Sequence, residues 1–463
     1  MITLKNLKFT YANQENPTVI IDRLHVKKGD CVILCGRSGS GKTTLTRLLN
    51  GLIPEYYPGN LEGHIKISHL VPGENDLEEF SQSVASVFQN PATQFFHRKV
   101  EHELVFPCEN QGISADHIWQ RLNATVDFFN IADLLHQDLL TTSGGQRQKI
   151  ALATANMQAP KLLVLDEPSA NLDQGAVNQL QENLQQLKSL GITIVIAEHR
   201  LDYLQNLGDS YLYFEDGKLK AEWSQKDWLH FDDNYRHELG LRAIHQEKSI
   251  FPFENEDKNA LEIKNLQVKT GKKLLGNIKT FKFPKGSVTA IIGPNGIGKS
   301  SFAKILSGLE NSERQIKYED STFSEKERLS RTAYVMQNVH LQLFSNSVKG
   351  ELLLGNQNNS DYLEIAKSFH LDHLLDRHPM SLSGGEKQRL LISNALLSNK
   401  DIFIFDEPTS GLDHKNMLIV SRYLKILKKY GKIVILITHD NEIISQACDR
   451  VLDLSKAFNE KSE

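Results

Sequence analysis

Short, nearly uninterrupted apolar runs recur along the chain between stretches of helical spacing. Val32-Ile33-Leu34, Leu162 to Leu165 and Thr193 to Ala197 mark the first half; Val288 to Ile292, Ile402 to Phe405 and Ile433 to Thr438 mark the second. A strand that alternates apolar and polar residues buries one face, whereas a continuous apolar run is buried on both. Set between helical patterns such as Leu45 to Leu49 and Phe302 to Leu306, these runs predict an α/β fold with a mainly parallel sheet covered on both faces. None approaches the roughly 18 to 20 apolar residues needed to cross a bilayer. The longest candidates, Cys31 to Cys35 and Ile433 to Ile437, are strand-sized, so the chain is not expected to span a membrane.

The pattern is a repeat of itself. Gly36-Arg37-Ser38-Gly39-Ser40-Gly41-Lys42-Thr43 returns as Gly293-Pro294-Asn295-Gly296-Ile297-Gly298-Lys299-Ser300. Ser143-Gly144-Gly145-Gln146 returns as Ser383-Gly384-Gly385-Glu386, Leu165-Asp166-Glu167-Pro168 as Phe405-Asp406-Glu407-Pro408, and His199 as His439. These last three pairs share an offset of 240, whereas the two lysines lie 257 apart; the first half therefore carries 17 extra residues between its Gly-rich loop and Ser-Gly-Gly, which is loop variation. With a common domain size of roughly 100 to 150 residues, a 463-residue chain accommodates two cores or more. The expected domains are residues 1–220 and 260–463. The stretch 221–259, charged around Glu254-Asn255-Glu256-Asp257-Lys258, reads as a linker, with Trp223 and Trp228 packed on a domain surface and not on a ligand.

Composition narrows the function. Hydrophobic residues at 40% and charged residues at 24% are near the globular average and exclude disordered, collagenous and disulfide-scaffold classes. Lys plus Arg number 53 against 57 Asp plus Glu, a net of −4, so no global basic field exists to hold nucleic acid or an anionic membrane. Any membrane link is expected to run through protein. The start Met1 to Asn6 lacks the basic and then apolar pattern of a secretory signal, which predicts a cytosolic chain. Four cysteines, at 31, 35, 108 and 448, form no CxxC pair and argue against zinc, iron-sulfur clusters and disulfides. Cys31 and Cys35 read as small apolar residues of a buried strand.

The candidate chemistry is phosphate chemistry. GxxxxGK[ST] between an apolar strand and a helix is the phosphate-binding P-loop in its required context. Its glycines let backbone N–H groups turn toward phosphate oxygens, the helix start adds positive potential, the lysine neutralises the β- and γ-phosphates, and the next hydroxyl ligates Mg²⁺. The residues concerned are Gly36, Ser38, Gly39, Gly41, Lys42, Thr43 and Thr44, and again Gly293, Asn295, Gly296, Gly298, Lys299, Ser300 and Ser301. Asp166 and Asp406, ending apolar strands, stand where a second Mg²⁺ contact is needed, and Glu167 and Glu407 where a water could be polarised for in-line attack. Ser-Gly-Gly ahead of a helical run offers free N–H groups to an anion. A lone His at a strand end is more often a satisfied core residue. The recurrence of His199 as His439 points instead to a hydrogen bond with the γ-phosphate.

Taken in order, the P-loop, Gln89 or Gln337, Ser-Gly-Gly-Gln/Glu, Asp-Glu-Pro, Ser-Ala-Asn-Leu-Asp173 or Thr-Ser-Gly-Leu-Asp413, and His199 or His439 resemble the ATP-binding cassette (ABC) ATPases over nearly all of residues 2–215 and 261–455. The resemblance implies two tandem P-loop NTPase domains, each with a mainly parallel sheet core, a small antiparallel β subdomain and a helical subdomain. It implies that ATP and Mg²⁺ are bound and ATP is hydrolysed, with Gln89 and Gln337 as further catalytic and metal-contacting residues. In that family two domains pair head to tail, here within one chain. One site would join Lys42, Gln89, Asp166, Glu167 and His199 to Ser383, Gly384, Gly385 and the adjoining Glu386; the other would join Lys299, Gln337, Asp406, Glu407 and His439 to Ser143, Gly144, Gly145 and Gln146. An aromatic about 25 positions before the P-loop stacks on adenine in this family. Tyr11 fits, 25 residues ahead of Gly36, whereas aligning Leu4-Lys5-Asn6-Leu7 with Ile263-Lys264-Asn265-Leu266 puts Thr270 at that place. Thr142 stands where the signature usually has Leu.

Gly51-Leu52-Ile53-Pro54-Glu55-Tyr56-Tyr57-Pro58-Gly59, Phe88 to Phe96 and Val100-Glu101-His102-Glu103-Leu104 are similar to the ATPases of energy-coupling factor (ECF) transporters. That resemblance implies a transmembrane coupling subunit, a substrate-binding membrane subunit, uptake of a vitamin, vitamin precursor or transition-metal cation, and a place on the cytoplasmic face of the membrane. Phe95, Phe96 and residues 101–106, with Leu341 to Phe344 and Val348 to Leu352 in the second half, are the expected partner contacts, unless the aromatics serve their own core. The competing class is a soluble twin-cassette ATPase acting on ribosomes or DNA, which would require a long basic helical linker, zinc cysteines or coiled-coil insertions. No such feature is visible, and no nucleic-acid partner is expected.

Overall fold

The computed structural model describes residues 1–244, 260–271, 273–311, 315–319, 321–355 and 361–459. The chain divides into two compact units, Met1–His245 and Gln246–Glu463. In the first, the strands are β1 Ile2–Tyr11, β2 Val19–Val26, β3 Cys31–Gly36, β4 Gly59–Ile67, β5 Val84–Val87, β6 Leu162–Asp166, β7 Thr193–Ala197, β8 Ser210–Glu215 and β9 Lys218–Ser224. They form one sheet in the order β4-β1-β2-β9-β8-β3-β7-β6-β5. The run from β8 to β5 is parallel. β1, β2 and β4 pair antiparallel and join the rest through one parallel pair, Ile20 with Lys218.

The apolar run of β3 is buried along its whole length. Cys31, Ile33 and Cys35 enter one core with Leu104, Ile150 and Leu180. Val32 and Leu34 enter another with Phe9, Leu45, Leu48 and Phe214. Both faces of the sheet are therefore covered, as the continuous apolar run requires. Burial pushes both thiols up, Cys35 to about 12, so neither is a ready nucleophile. Helices Val100–Asn110 and Ala115–Phe129 pack on the helix Gly144–Met157 and form the helical subdomain.

The second unit holds β10 Ala260–Thr270, β11 Lys273–Pro284, β12 Ser287–Ile292, β13 Ile316–Tyr318, β14 Ser321–Thr322, β15 Thr332–Val335, β16 Ile402–Asp406, β17 Ile433–Ile437 and β18 Arg450–Asp453. Here the antiparallel part is a separate sheet, β11-β10-β13-β14, and the parallel sheet runs β15-β16-β17-β12-β18. That order repeats β5-β6-β7-β3-β8, so the sequence repeat is a repeat of topology. Among the described residues no helix is long and apolar enough to cross a membrane.

The expected linker begins later than residue 221. Strand β9 reaches Ser224, and two short helices, Gln225–His230 and Asp233–Glu238, fold back on the first unit. Trp228 is fully buried, stacked on Tyr211 at 4.3 Å, with the Arg236 guanidinium 4.8 Å from its ring. It belongs to the same core as Leu241 and Ile244. Charge and aromatics in 221–244 suggested a connector because the docking of a short helix on a distant strand leaves no local periodicity; residues 245–259 lie outside those described. Trp228→Ala is expected to cost the first unit about 3 to 5 kcal/mol, read as a lower denaturant midpoint.

Candidate active site

Strand register sets the site. Leu34 and Asp166 both lie beside Ala197, and Val87 lies beside Leu165, so the segments leaving β3, β7, β6 and β5 emerge in a row at their carboxyl ends. Those segments begin with the Gly36 loop, Glu198-His199, Glu167 and Phe88-Gln89. Ile291 and Asp406 beside Ile437, with Val335 beside Phe405, build the same row in the second unit. In open α/β sheets this edge is where ligands bind.

The loop after β3 closes on glycines. Gly36 has φ +142°, and a Cβ there would meet the Phe214 carbonyl oxygen at 2.1 Å; at Gly41, with φ +98°, it would meet the Thr18 oxygen at 2.8 Å. Ser38 and Gly39 form the crown of this loop, as Asn295 and Gly296 do between Gly293 and Gly298. Lys42 and Lys299 open their helices and are buried. Lys42 Nζ donates to the Gly36 and Arg37 oxygens at 2.9 Å each; Lys299 Nζ donates to the Gly293 oxygen at 2.7 Å and to Asn295 Oδ1 at 3.3 Å. An ammonium beneath a curled loop, at a helix start with free N–H groups, is a cradle for phosphate.

Thr43 Oγ1 donates to Asp166 Oδ1 at 3.2 Å, and Ser300 bonds Asp406 in the same way. Burial pushes both aspartates up, and the hydroxyls partly offset it. A hydroxyl beside a carboxylate is the hard-oxygen set that suits Mg²⁺, which would neutralise charge on the phosphates. Gln89, expected as a catalytic and metal-contacting residue, lies beside Glu167: its Nε2 donates to Glu167 Oε2 at 2.6 Å. An exposed amide at the end of a short segment after β5 takes the nearest strong acceptor, which is that carboxylate. Gln337 occupies the corresponding exposed place after β15.

Glu167 and Glu407 sit at φ +47° and +51°, each donating its N–H to the neighbouring strand end, Ala197 or Ile437. Burial pushes both carboxyls up to about 8; Glu198 and Asp166 add to this at Glu167, while Lys299 opposes it at Glu407. His199 Nε2 lies 3.6 Å from Glu167 Oε1 and 3.4 Å from Lys42 Nζ. Burial, with Lys42 and Arg242, holds His199 well below its ordinary pKa, so the imidazole is neutral and Nε2 accepts from the lysine. His439 Nε2 repeats the arrangement, 3.7 Å from Glu407 Oε1 and 2.8 Å from Lys299 Nζ. Among the described residues Glu407 Oε1 is buried without a hydrogen-bond partner. A buried carboxylate oxygen in that state fits a water or substrate oxygen.

Ser143 and Ser383 cap the helices that start at Gly144 and Gly384. Gln146 and Glu386, expected at nucleotide, close these caps: Gln146 Oε1 accepts from Ser143 N–H, and Glu386 Oε2 from both N–H and Oγ of Ser383, each at 2.8 Å. Such a capping box pre-forms the helix start, the kind of helix N-terminus whose first N–H groups can receive an anion. Thr142 is buried in its own turn, bonded to the Leu139 oxygen.

Tyr11 OH lies 3.2 Å from Thr44 Oγ1 and accepts from Arg47 Nη1 at 3.1 Å. Arg47 also lies over the Tyr57 ring at 4.1 Å. In the second unit Thr270 Oγ1 reaches Ser301 Oγ at 3.1 Å. Thr44 and Ser301 thus fasten helix to strand, and the aromatic of the first site is replaced by a hydroxyl in the second. Two site residues escaped the sequence reading. Tyr334 OH donates to Asp406 Oδ2 at 3.1 Å, and Glu198, beside Glu167, is buried among several donors. A charged residue inside an apolar strand end was the available signal for Glu198; nothing comparable marks Tyr334.

Residues 22–170 and 277–410 match the family model described as ABC transporter. A Treponema denticola chain provisionally described as an ABC transporter ATP-binding protein is 39% identical over 98% of this chain and 95% of its own. The provisionally described HMP/thiamine import ATP-binding protein YkoD of Bacillus subtilis is 31% identical over 98% of this chain and 90% of its own. Among solved structures, the archaeal ribosome recycling factor aABCE1, crystallised with the ribosomal stalk protein aP1, superposes with TM-score 0.64 over 94% of this chain and 85% of its own, at 24% identity; at that identity the likeness is one of fold. With the phosphate cradle built twice and the family matched across both halves, this chain belongs to the ABC transporter family of ATP-binding proteins, as an ATPase with two cassettes in one polypeptide.

Proposed function

We propose that this chain drives an ECF-type importer from the cytoplasmic face of the membrane, hydrolysing ATP with Mg²⁺ to take up a vitamin, vitamin precursor or metal cation. A transmembrane coupling subunit and a substrate-binding membrane subunit would complete the machine. Lys42 and Lys299 would hold the phosphates, Thr43 with Asp166 and Ser300 with Asp406 the Mg²⁺, Glu167 and Glu407 the attacking water, and His199 and His439 the γ-phosphate. Residues 1–244, which include the segment through Trp228 that packs on the first core, and residues 260–463 would supply the two ATPase domains.

The observation that carries the partner is a pair of presented aromatics. Phe96 is 77% exposed and Phe344 74%, each a few residues past Gln89 or Gln337. Each is held out by a buried glutamate. Glu103 Oε2 accepts from Phe96 N–H at 2.9 Å and His97 N–H at 2.7 Å; Glu351 Oε2 accepts from Phe344 N–H at 2.9 Å and Ser345 N–H at 2.8 Å. A buried carboxylate is costly unless its acceptors are used, so each stabilises one loop conformation. Phe95, by contrast, packs against the first unit's own core, which separates it from Phe96. The import name carried by the Bacillus subtilis relative supports the same reading.

Phe96→Ala together with Phe344→Ala is expected to weaken recovery of the membrane subunits by tenfold or more, roughly the weight of two aromatic anchors. ATP affinity and melting temperature of the isolated chain should stay unchanged. Undiminished assembly would remove these aromatics from the interface.

A further inference from the structure

The two histidines are flanked by opposite arrangements. In the second unit the sequence is Thr438-His439-Asp440, and in the first Glu198-His199-Arg200. Asp440 Oδ2 accepts from Thr409 Oγ1 at 2.7 Å, which ties the turn after Glu407 to the strand end that carries His439. Thr438 Oγ1 completes that link by accepting from Asp440 N–H at 3.1 Å.

In the first unit the residue after the histidine is Arg200, which turns away to Gln174 Oε1 at 2.5 Å and Asp202 Oδ1 at 3.2 Å. The carboxylate comes instead from the residue before it. Glu198 is 3% exposed. Its Oε2 accepts from Ser169 Oγ at 2.7 Å, Ser169 N–H at 3.2 Å and Tyr203 OH at 3.0 Å. Its Oε1 accepts from the N–H of His199 at 2.8 Å and of Arg200 at 3.1 Å. Ser169 and Thr409 are equivalent, each two residues past the glutamate of Asp-Glu-Pro. Five donors on one buried side chain exceed what its local fold requires. They join three segments: the turn carrying Glu167, the backbone of His199, and the short helix of Tyr203.

We propose that Glu198 is a positioning residue of the first ATP site, a relocated form of the clamp that Asp440 provides in the second. Its task is to hold the Glu167 turn and His199 in fixed relation, so that the carboxylate and the imidazole face the same γ-phosphate. This rests on the assignment of Glu167 and His199 to hydrolysis. The two ideas fail separately, since near-parental turnover in Glu167→Gln/Glu407→Gln would sink that assignment without any change at residue 198.

The test compares two variants of the full chain with the parent in ATP turnover and nucleotide binding. Glu198→Ala should lower kcat by up to about twofold, the share of one of two sites, with KM for ATP nearly unchanged because Lys42 and its loop are untouched. The double variant Glu198→Thr/Arg200→Asp, which installs the second unit's Thr-His-Asp order, should recover most of that loss. An unchanged kcat in Glu198→Ala, a rise in KM of the same size as any fall in kcat, or a folded double variant no better than Glu198→Ala would each overturn the proposal. Should Glu198→Ala fail to fold, the double variant decides alone: near-parental kcat supports the relocated clamp, and a folded inactive or unfolded chain overturns it.

Discussion

Replacing Glu167 and Glu407 together by Gln should slow ATP turnover by roughly 10²- to 10⁴-fold, the usual contribution of a positioned general base, while ATP stays bound. The substitutions keep side-chain shape and remove only the group that accepts a proton from water. The loops at Lys42 and Lys299 and the Thr43–Asp166 and Ser300–Asp406 pairs are left as they are. Glu407, one of whose buried oxygens has no hydrogen-bond partner among the described residues, should be the more sensitive position, whereas Gln89 already occupies one oxygen of Glu167. Phosphate release and filter retention of labelled ATP measure the two halves of the expectation. A double variant that hydrolyses at near the parental rate would take both residues out of the chemistry.

The second large effect is an inequality between the sites. Tyr11 is fixed through its hydroxyl by Thr44 and Arg47 of the first P-loop helix, and the matching place in the second unit is Thr270 bonded to Ser301. Base stacking on an aromatic is worth roughly 1 to 3 kcal/mol by substitution, or about ten- to hundredfold in affinity. ATP should therefore bind more tightly in Lys299→Ala, where the first site remains, than in Lys42→Ala, where the second remains. Tyr11→Ala should narrow the gap. Equal affinities for the two single variants, at one salt and one Mg²⁺ concentration, would contradict it.

What could be read from the sequence divides along physical lines. The parallel sheet was legible because burial on both faces forces continuous apolar runs, as at Cys31–Gly36 and Ile433–Ile437. The phosphate loops were legible because a glycine at φ +142° with a carbonyl 2.1 Å from its absent Cβ tolerates no other residue. Residues whose partners are distant in sequence left no such trace. Trp228 packs on Tyr211 only once β8 and β9 have paired, so its stretch looked like a connector. Gln146 and Glu386 share a motif with the Gly-Gly pairs, and their side chains close the helix caps, a role that spacing alone does not show. Glu198 and Tyr334 act across adjacent strands, a relation that parallel register creates and one-dimensional spacing hides.

The proposed function has this twin-cassette ATPase working on membrane subunits and not on the ribosome. Cells expressing the chain at its native level can be lysed gently and divided into membrane, ribosome and soluble fractions, with the chain quantified in each. The chain is expected to come down with the membranes, to be recovered on extraction with a multi-span partner, and to be released by Phe96→Ala/Phe344→Ala. Recovery of the chain with ribosomal particles, unaffected by those two substitutions, would contradict the account.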